Sequence, residues 1–146
     1  SCMHTILHCQ HSTHCDIICN ATDACHETTV HCNSHGTCSI YALYETSFEH
    51  SVINIGDDSS NQEINNHSVD VRVHCLADRA CINTKMHGQL STDLYVNCLA
   101  LDSCRDMTIH CPPFSVAGNK QIKHCVVSGD PATFSVSSTH RNISIV

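Results

Sequence analysis

Tryptophan is absent from this chain of 146 residues, which has only three phenylalanines and three tyrosines. Saccharide-binding clefts commonly use aromatic rings for stacking, so the scarcity of aromatics argues against such a cleft. Charged residues make up only 14% of the chain, and the net charge is −7, which makes nucleic acid an unfavourable partner. No apolar run approaches the roughly 18 residues that a membrane span needs.

The sequence also lacks motifs that would indicate catalysis or a zinc site. It has no Gly-x-Ser-x-Gly and no Cys-x-x-Cys, and its seven basic residues are scattered. The single acidic doublet, Asp57-Asp58, lies among Gly, Ser and Asn residues that are typical of a turn. Because glycan hydrolysis needs a placed pair of carboxylates, we predict that the protein is not an enzyme and needs no cofactor.

Cysteine and histidine are abundant instead, with 13 and 14 copies. So many cysteines without zinc-binding spacing indicate a disulfide framework, and therefore an oxidising compartment. Three N-glycosylation sequons begin at Asn20, Asn66 and Asn142. We predict a secreted, extracellular glycoprotein, with Asn66 the most accessible site and the other two partly hidden by strands. Ser1, in place of Met, fits a mature chain or a fragment.

An internal repeat of about 23 residues is the strongest pattern. The spacing Cys-x5-Cys occurs five times, and a shift of 23 superposes Cys2, Cys9 and Cys15 on Cys25, Cys32 and Cys38. The same shift superposes Cys75 and Cys81 on Cys98 and Cys104. A unit this short cannot hold two helices, and the residues before the cysteines are β-branched and alternate with period two.

These features predict one all-β domain over residues 1–146, a parallel β-solenoid of about six coils stapled by disulfides. Alternation places Val71, Val73 and Cys75 on the inward face, and the same rule applies to the strands that end at Cys32 and Cys98. We expect an irregular coil at about 41–68 and two coils of unequal length between Cys32 and Cys75. Strands are also expected within the C-terminal segment 132–146.

The pattern resembles the cysteine-rich right-handed β-helix repeats of extracellular and surface proteins of algae and other protists. Val30-His31-Cys32 and Ile109-His110-Cys111 carry this resemblance, which covers roughly residues 2–125. It implies a right-handed parallel β-helix. The Cys-x5-Cys spacing also resembles that of insect antifreeze solenoids, but the Thr-x-Thr rows of those proteins are missing here.

The reach of the chain bears on how the cysteines pair. An extended strand from Cys25 to Cys32 would span roughly 23 Å, far beyond the Cα separation of about 7 Å that a disulfide permits. Pairing within each turn-rich Cys-x5-Cys is favoured, and pairing between stacked coils, such as 9–32 and 75–98, is the competing scheme. Cys2 is left for a free thiol or an intermolecular bond. The predicted disulfides are Cys9–Cys15, Cys19–Cys25, Cys32–Cys38, Cys75–Cys81, Cys98–Cys104 and Cys111–Cys125.

Five histidines directly precede a cysteine and should therefore face solvent as a ladder: His8, His31, His74, His110 and His124. Such a ladder is either a metal-binding or pH-sensitive stripe, or an ordinary polar surface, which we favour because no carboxylates recur beside it.

Two classes of function fit these patterns. One is a structural protein whose copies form an extracellular filament, sheath or appendage, either by end-to-end stacking or by donating a C-terminal strand through Ile143 and Ile145. The other is a secreted monomeric binding module for metal, glycan or ice. We favour the structural class, because the repeat starts at Cys2 without a visible cap and the sequence ends on an apolar alternating strand. The predicted partner is a second copy of the chain.

Overall fold

The computed structural model describes residues 2–9, 13–32, 36–55, 69–87, 92–111, 124–137 and 143–146. In these ranges the chain is all-β and contains no helix. The strands are β1 Ile6–Cys9, β2 His14–Cys19, β3 Thr29–Cys32, β4 Thr37–Ala42, β5 Val52–Ile55, β6 Val69–Cys75, β7 Lys85–His87, β8 Thr92–Cys98, β9 Met107–His110, β10 Cys125–Ser128, β11 Phe134–Ser137 and β12 Ile143–Ile145.

The strands form two parallel sheets of six strands each, and the chain alternates between them. The odd sheet has the order β1-β3-β5-β7-β9-β11, and the even sheet has the order β12-β10-β8-β6-β4-β2. Each repeat unit therefore contributes two strands, one to each sheet. The inward residues of both sheets pack into one buried cluster.

Period-two alternation explains which side chains are buried. Along β6, Val71, Val73 and Cys75 are fully buried, whereas the intervening Arg72 is exposed and His74 is half-buried. In the even sheet, Val73 pairs with Val96 and Cys75 pairs with Cys98, so equivalent inward residues stack in columns. The predicted inward positions of these strands are therefore confirmed.

The pairing register follows the 23-residue repeat in the first units, whereas later steps differ, such as the 31 positions from Leu94 to its partner Cys125. Ile6 pairs with Thr29, which pairs with Val52, and each step is 23 positions along the chain. Among the residues predicted as an irregular coil, Val52–Ile55 keep the regular register, and 56–68 lie outside the described residues. Cys32 and Cys75 end strands of different sheets, which means that the segment between them is not two whole units.

Two kinds of corner join the sheets, and each holds three of the six disulfides. The corner that leads from an odd strand to the next even strand, here called the loop corner, is closed by Cys9–Cys15, Cys32–Cys38 and Cys111–Cys125. The corner that leads from an even strand to the next odd strand, here called the turn corner, is closed by Cys19–Cys25, Cys75–Cys81 and Cys98–Cys104. These are the six pairs that the sequence predicts.

One turn corner has an aromatic ring where its neighbours have a disulfide. Ala42 pairs with Cys19 on one side and Cys75 on the other, so it occupies the position of the first cysteine. Phe48 takes the position of the second cysteine, and its side chain is fully buried. The ring fills the space of the missing bridge.

Buried hydroxyl groups connect successive turn corners. Thr28 donates a hydrogen bond to the carbonyl of Cys2 at 2.7 Å, and Ser51 donates to that of Cys25 at 2.8 Å. Thr84 donates in the same way to the carbonyl of Phe48 at 2.9 Å. The three hydroxyl residues have no exposed surface, and each donates to a carbonyl of the preceding unit, so none of these three hydroxyls is left without a partner. We call Thr28, Ser51 and Thr84 the hydroxyl ladder.

Candidate functional site

The edges of the two sheets are the first candidate site. Strands β1 and β2 are the last strands at one end of the molecule, and β11 and β12 are the last at the other end. Each of these four strands pairs with one neighbour among the described residues, and its other edge has no strand beside it. Such an edge carries backbone donors and acceptors that a further parallel strand can satisfy.

Within the described part of the chain, no residue covers the inward columns where they reach the ends of the sheets. Ile145 continues the column of Val96 and Val127, which are 2% and 0% exposed, yet Ile145 itself is 49% exposed. At the opposite end, Leu7 and Ile17 point inward but are only half-buried. Core residues are therefore accessible at both ends.

The predicted donor strand is used within the chain. Ile143 pairs with Cys125 and Ile145 pairs with Val127, so β12 extends the chain's own even sheet in parallel with β10. The geometry thus favours stacking over strand donation.

The histidines predicted as one ladder lie in both sheets. The outward column at the end of the odd strands contains His8, His31, Asn54, His87 and His110. His8 and His31 stack with ring centroids 4.8 Å apart, and His87 and His110 stack at 5.0 Å. His87, which no cysteine follows, was missed by the sequence rule.

Of the remaining two predicted histidines, His74 lies in β6 of the even sheet, and His124 directly precedes β10 of the same sheet. His74 stacks on Tyr41 at 5.0 Å, whereas His124 lies 3.7 Å from the carboxylate of Asp93. The five predicted histidines therefore do not form a single stripe. Burial lowers the pKa of His74, with a further contribution from Arg72.

A second group of histidines lies at the turn corners of the first units. His4 Nδ1 is 2.7 Å from Glu27 Oε2, and His50 Nε2 is 3.4 Å from Glu49 Oε1. The ring of His26 lies edge-on to those of His4 and His50, at 6.1 and 5.7 Å. No sequence motif marks this group, although a shift of 23 superposes His4 on Glu27.

The cysteines that lie close together are not available as metal ligands. The sulfur atoms of Cys9, Cys15 and Cys38 come close together, but all three belong to disulfides and provide no thiolate. Cys2 is exposed and is the free cysteine of the chain.

Among the predicted glycosylation sites, Asn20 follows β2 directly and is exposed rather than hidden by neighbouring strands. Asn66 and Asn142 lie outside the described residues.

No family model, curated protein or solved structure matches the chain. Among the described residues, no helix is both long and apolar enough to cross a bilayer.

Proposed function

We propose that the protein is an extracellular structural subunit whose copies stack end to end into a filament, sheath or surface appendage. In this proposal the chain winds as a parallel β-solenoid of about six coils, right-handed as in the cysteine-rich β-helix repeats that its sequence resembles. The role is mechanical and non-catalytic, and the partner is a second copy of the chain.

The observation that carries the proposal is the exposure of inward apolar residues at the sheet ends. Ile145 is 49% exposed, although Ile40, Val73 and Val127 of the same column are fully buried. If β1 and β2 of a second copy continue the sheets beyond β11 and β12, the open ends of the inward columns meet. This contact would bury apolar surface and pair backbone groups at the same time.

Such a contact joins two different surfaces of the chain, so each added copy presents a new open end. A head-to-tail contact that does not close into a ring propagates into a fibre. Six disulfides along the core support durability outside the cell. The exposed side of Asn20 supports N-linked glycosylation.

The test compares Ile145→Lys with Leu101→Lys by sedimentation velocity and negative-stain microscopy of the oxidised chain. Both substitutions replace an exposed apolar residue with lysine, but Leu101 lies between the cysteines of a turn corner and is 79% exposed. A charge at a sheet edge opposes strand addition. We expect wild type and Leu101→Lys to form filaments, and Ile145→Lys to remain unassembled.

Mixing provides a second measurement. The open β1 and β2 edges of Ile145→Lys are unchanged, so the variant should add to a growing wild-type end and stop growth there. A small proportion of Ile145→Lys should therefore shorten wild-type filaments, whereas Leu101→Lys should not. A wild-type chain that stays monomeric at high concentration would overturn the proposal in favour of the binding-module alternative.

A further inference from the structure

The turn corners of the first units bring together three side chains with the chemistry of metal ligands. The N–H of His4 donates to the carbonyl of His26 at 3.1 Å, which joins the first turn to the second. One ligand atom from each of His4, His26 and Glu27 lies within 4.8 Å of the other two. In a tetrahedral zinc site, ligand atoms are about 3.3 Å apart, so small side-chain rotations would close the group around an ion.

His26 supplies a second, independent observation. Its Nδ1 atom is buried, and no hydrogen-bond partner reaches it among the described residues. Buried polar atoms are nearly always paired, so this nitrogen points to a missing partner. His4 and Glu27 are exposed and can adjust to an ion, whereas His26 is half-buried and held between the rings of His4 and His50.

We propose that His4, His26 and Glu27 bind one divalent transition-metal ion of the zinc class. Imidazole nitrogen and carboxylate oxygen are established zinc ligands, and three protein ligands leave a fourth position for water. Because the ligands come from two successive turns, the ion joins the first repeat unit to the second. The three ligands belong to one copy of the chain, so this proposal does not depend on end-to-end stacking.

The stacked histidines provide the contrast. An imidazole binds a metal through a lone pair that lies in the plane of its ring. The planes of His87 and His110 are within 9° of parallel at 5.0 Å, so their lone pairs run side by side and do not converge. The edge-on rings of His4 and His26 have an interplanar angle of 89°, which allows convergence.

The test is a calorimetric titration of the full oxidised chain with Zn²⁺, in a Cys2→Ser background so that the exposed thiol cannot bind the ion. We expect one equivalent of zinc to bind. Affinity should fall at least about tenfold in His4→Gln, His26→Gln and Glu27→Gln, and should stay within about twofold in the matched control His87→Gln.

Zinc should also raise the melting temperature of the parent protein and of His87→Gln, but not that of His4→Gln. His4 is exposed, so its substitution leaves the core intact and keeps the test valid if His26→Gln fails to fold. The proposal is overturned if no zinc binds, if the three ligand variants bind zinc as the parent does, or if His87→Gln loses as much affinity as they do.

Discussion

The loop corner and the turn corner each hold three disulfides, yet among these bridged corners only the loop corner varies in length between its cysteines. Its bridged cysteines are 6 positions apart in Cys9–Cys15 and 14 apart in Cys111–Cys125. At the turn corner all three bridges join cysteines 6 positions apart. The unbridged turn corner between β10 and β11 is shorter, because Phe134 follows Ser128 by 6 positions whereas their partners Asn97 and Met107 are 10 positions apart. The step from Thr37 to its partner Asp70 is 33 positions, ten more than the repeat, and it includes the loop corner between β5 and β6.

The bonding of the turn corner explains this difference. Successive turns donate backbone hydrogen bonds to one another, as in Cys25 to Ser47 and Cys81 to Ser103, both at 2.8 Å. The hydroxyl ladder connects the same turns. An inserted residue would break this pattern in two neighbouring units. A longer loop at the other corner costs only a small closure entropy, about 0.6 kcal/mol for each doubling of its length.

The largest expected effect is at the turn corner between β4 and β5, where Phe48 replaces the disulfide. Phe48→Ala should lower the free energy of unfolding by about 3–5 kcal/mol, because a fully buried ring is replaced by a cavity. The double variant Ala42→Cys/Phe48→Cys should form a seventh local bridge and regain about 2 kcal/mol of that loss. Denaturant titration and non-reducing peptide mapping measure both effects. Free thiols at positions 42 and 48 would show that the turn corners are not equivalent.

Removing one bridge from each corner compares the corners directly. Both Cys75→Ala/Cys81→Ala and Cys9→Ala/Cys15→Ala should lose about 2 kcal/mol of stability through the unfolded state, since the two bridges close loops of equal length. The turn-corner pair should lose roughly 1 kcal/mol more, because Cys75 and Cys81 are fully buried while Cys15 is partly exposed. Equal losses in denaturant titrations would contradict a stronger role for the turn corner.

Local geometry made much of this arrangement predictable from the sequence. The inward positions of β6 follow from period-two alternation. The turn-forming residues within each Cys-x5-Cys favour the local disulfides, although the sequence leaves pairing between stacked coils open. The extended strand expected from Cys25 to Cys32 is wrong, because β3 begins only at Thr29. Neither argument requires knowledge of how the two sheets are arranged.

The sequence does not show whether a given Cys-x5-Cys forms a loop corner or a turn corner, because both kinds of corner use the same five-residue spacer. Cys9 and Cys19 look alike in sequence, but they end strands of different sheets. Because of the same ambiguity, the spacing from Cys32 to Cys75 suggests two coils of unequal length, and the His-Cys pairs suggest one ladder for His8 and His74. Phe48 carries no local signal of its role, since only the 23-residue shift relates it to Cys25.

The hydroxyl ladder provides a smaller test of the turn corner. Thr84→Val keeps the shape of the side chain but leaves the carbonyl of Phe48 without its donor. We expect a loss of about 1–2 kcal/mol in the free energy of unfolding. The matched control Thr108→Val, at a half-buried outward position of β9, should change stability by less than about 0.5 kcal/mol. Equal effects of the two substitutions would show that the ladder does not stabilise the corner.

The smallest expected effect concerns two histidines beside the corners, His74 before the turn-corner Cys75 and His87 at the end of β7. Partial removal from water lowers the pKa of both side chains. The positive charge of Arg72 lowers the pKa of His74 further, and the charges of His110 and Lys85 do the same for His87. Because the unfolded chain then binds these protons more tightly, stability should be greatest above the ordinary histidine pKa of about 6.5 and should decrease as the pH falls below it.

Replacing either histidine with glutamine should reduce this dependence in denaturant titrations carried out at a series of pH values. His74→Gln should have the larger effect, because His74 is half-buried while His87 is exposed. If His87→Gln had the larger effect, the pH dependence of stability would come mainly from the histidine at the end of β7. If neither variant changed the pH dependence of stability, neither histidine would contribute to it.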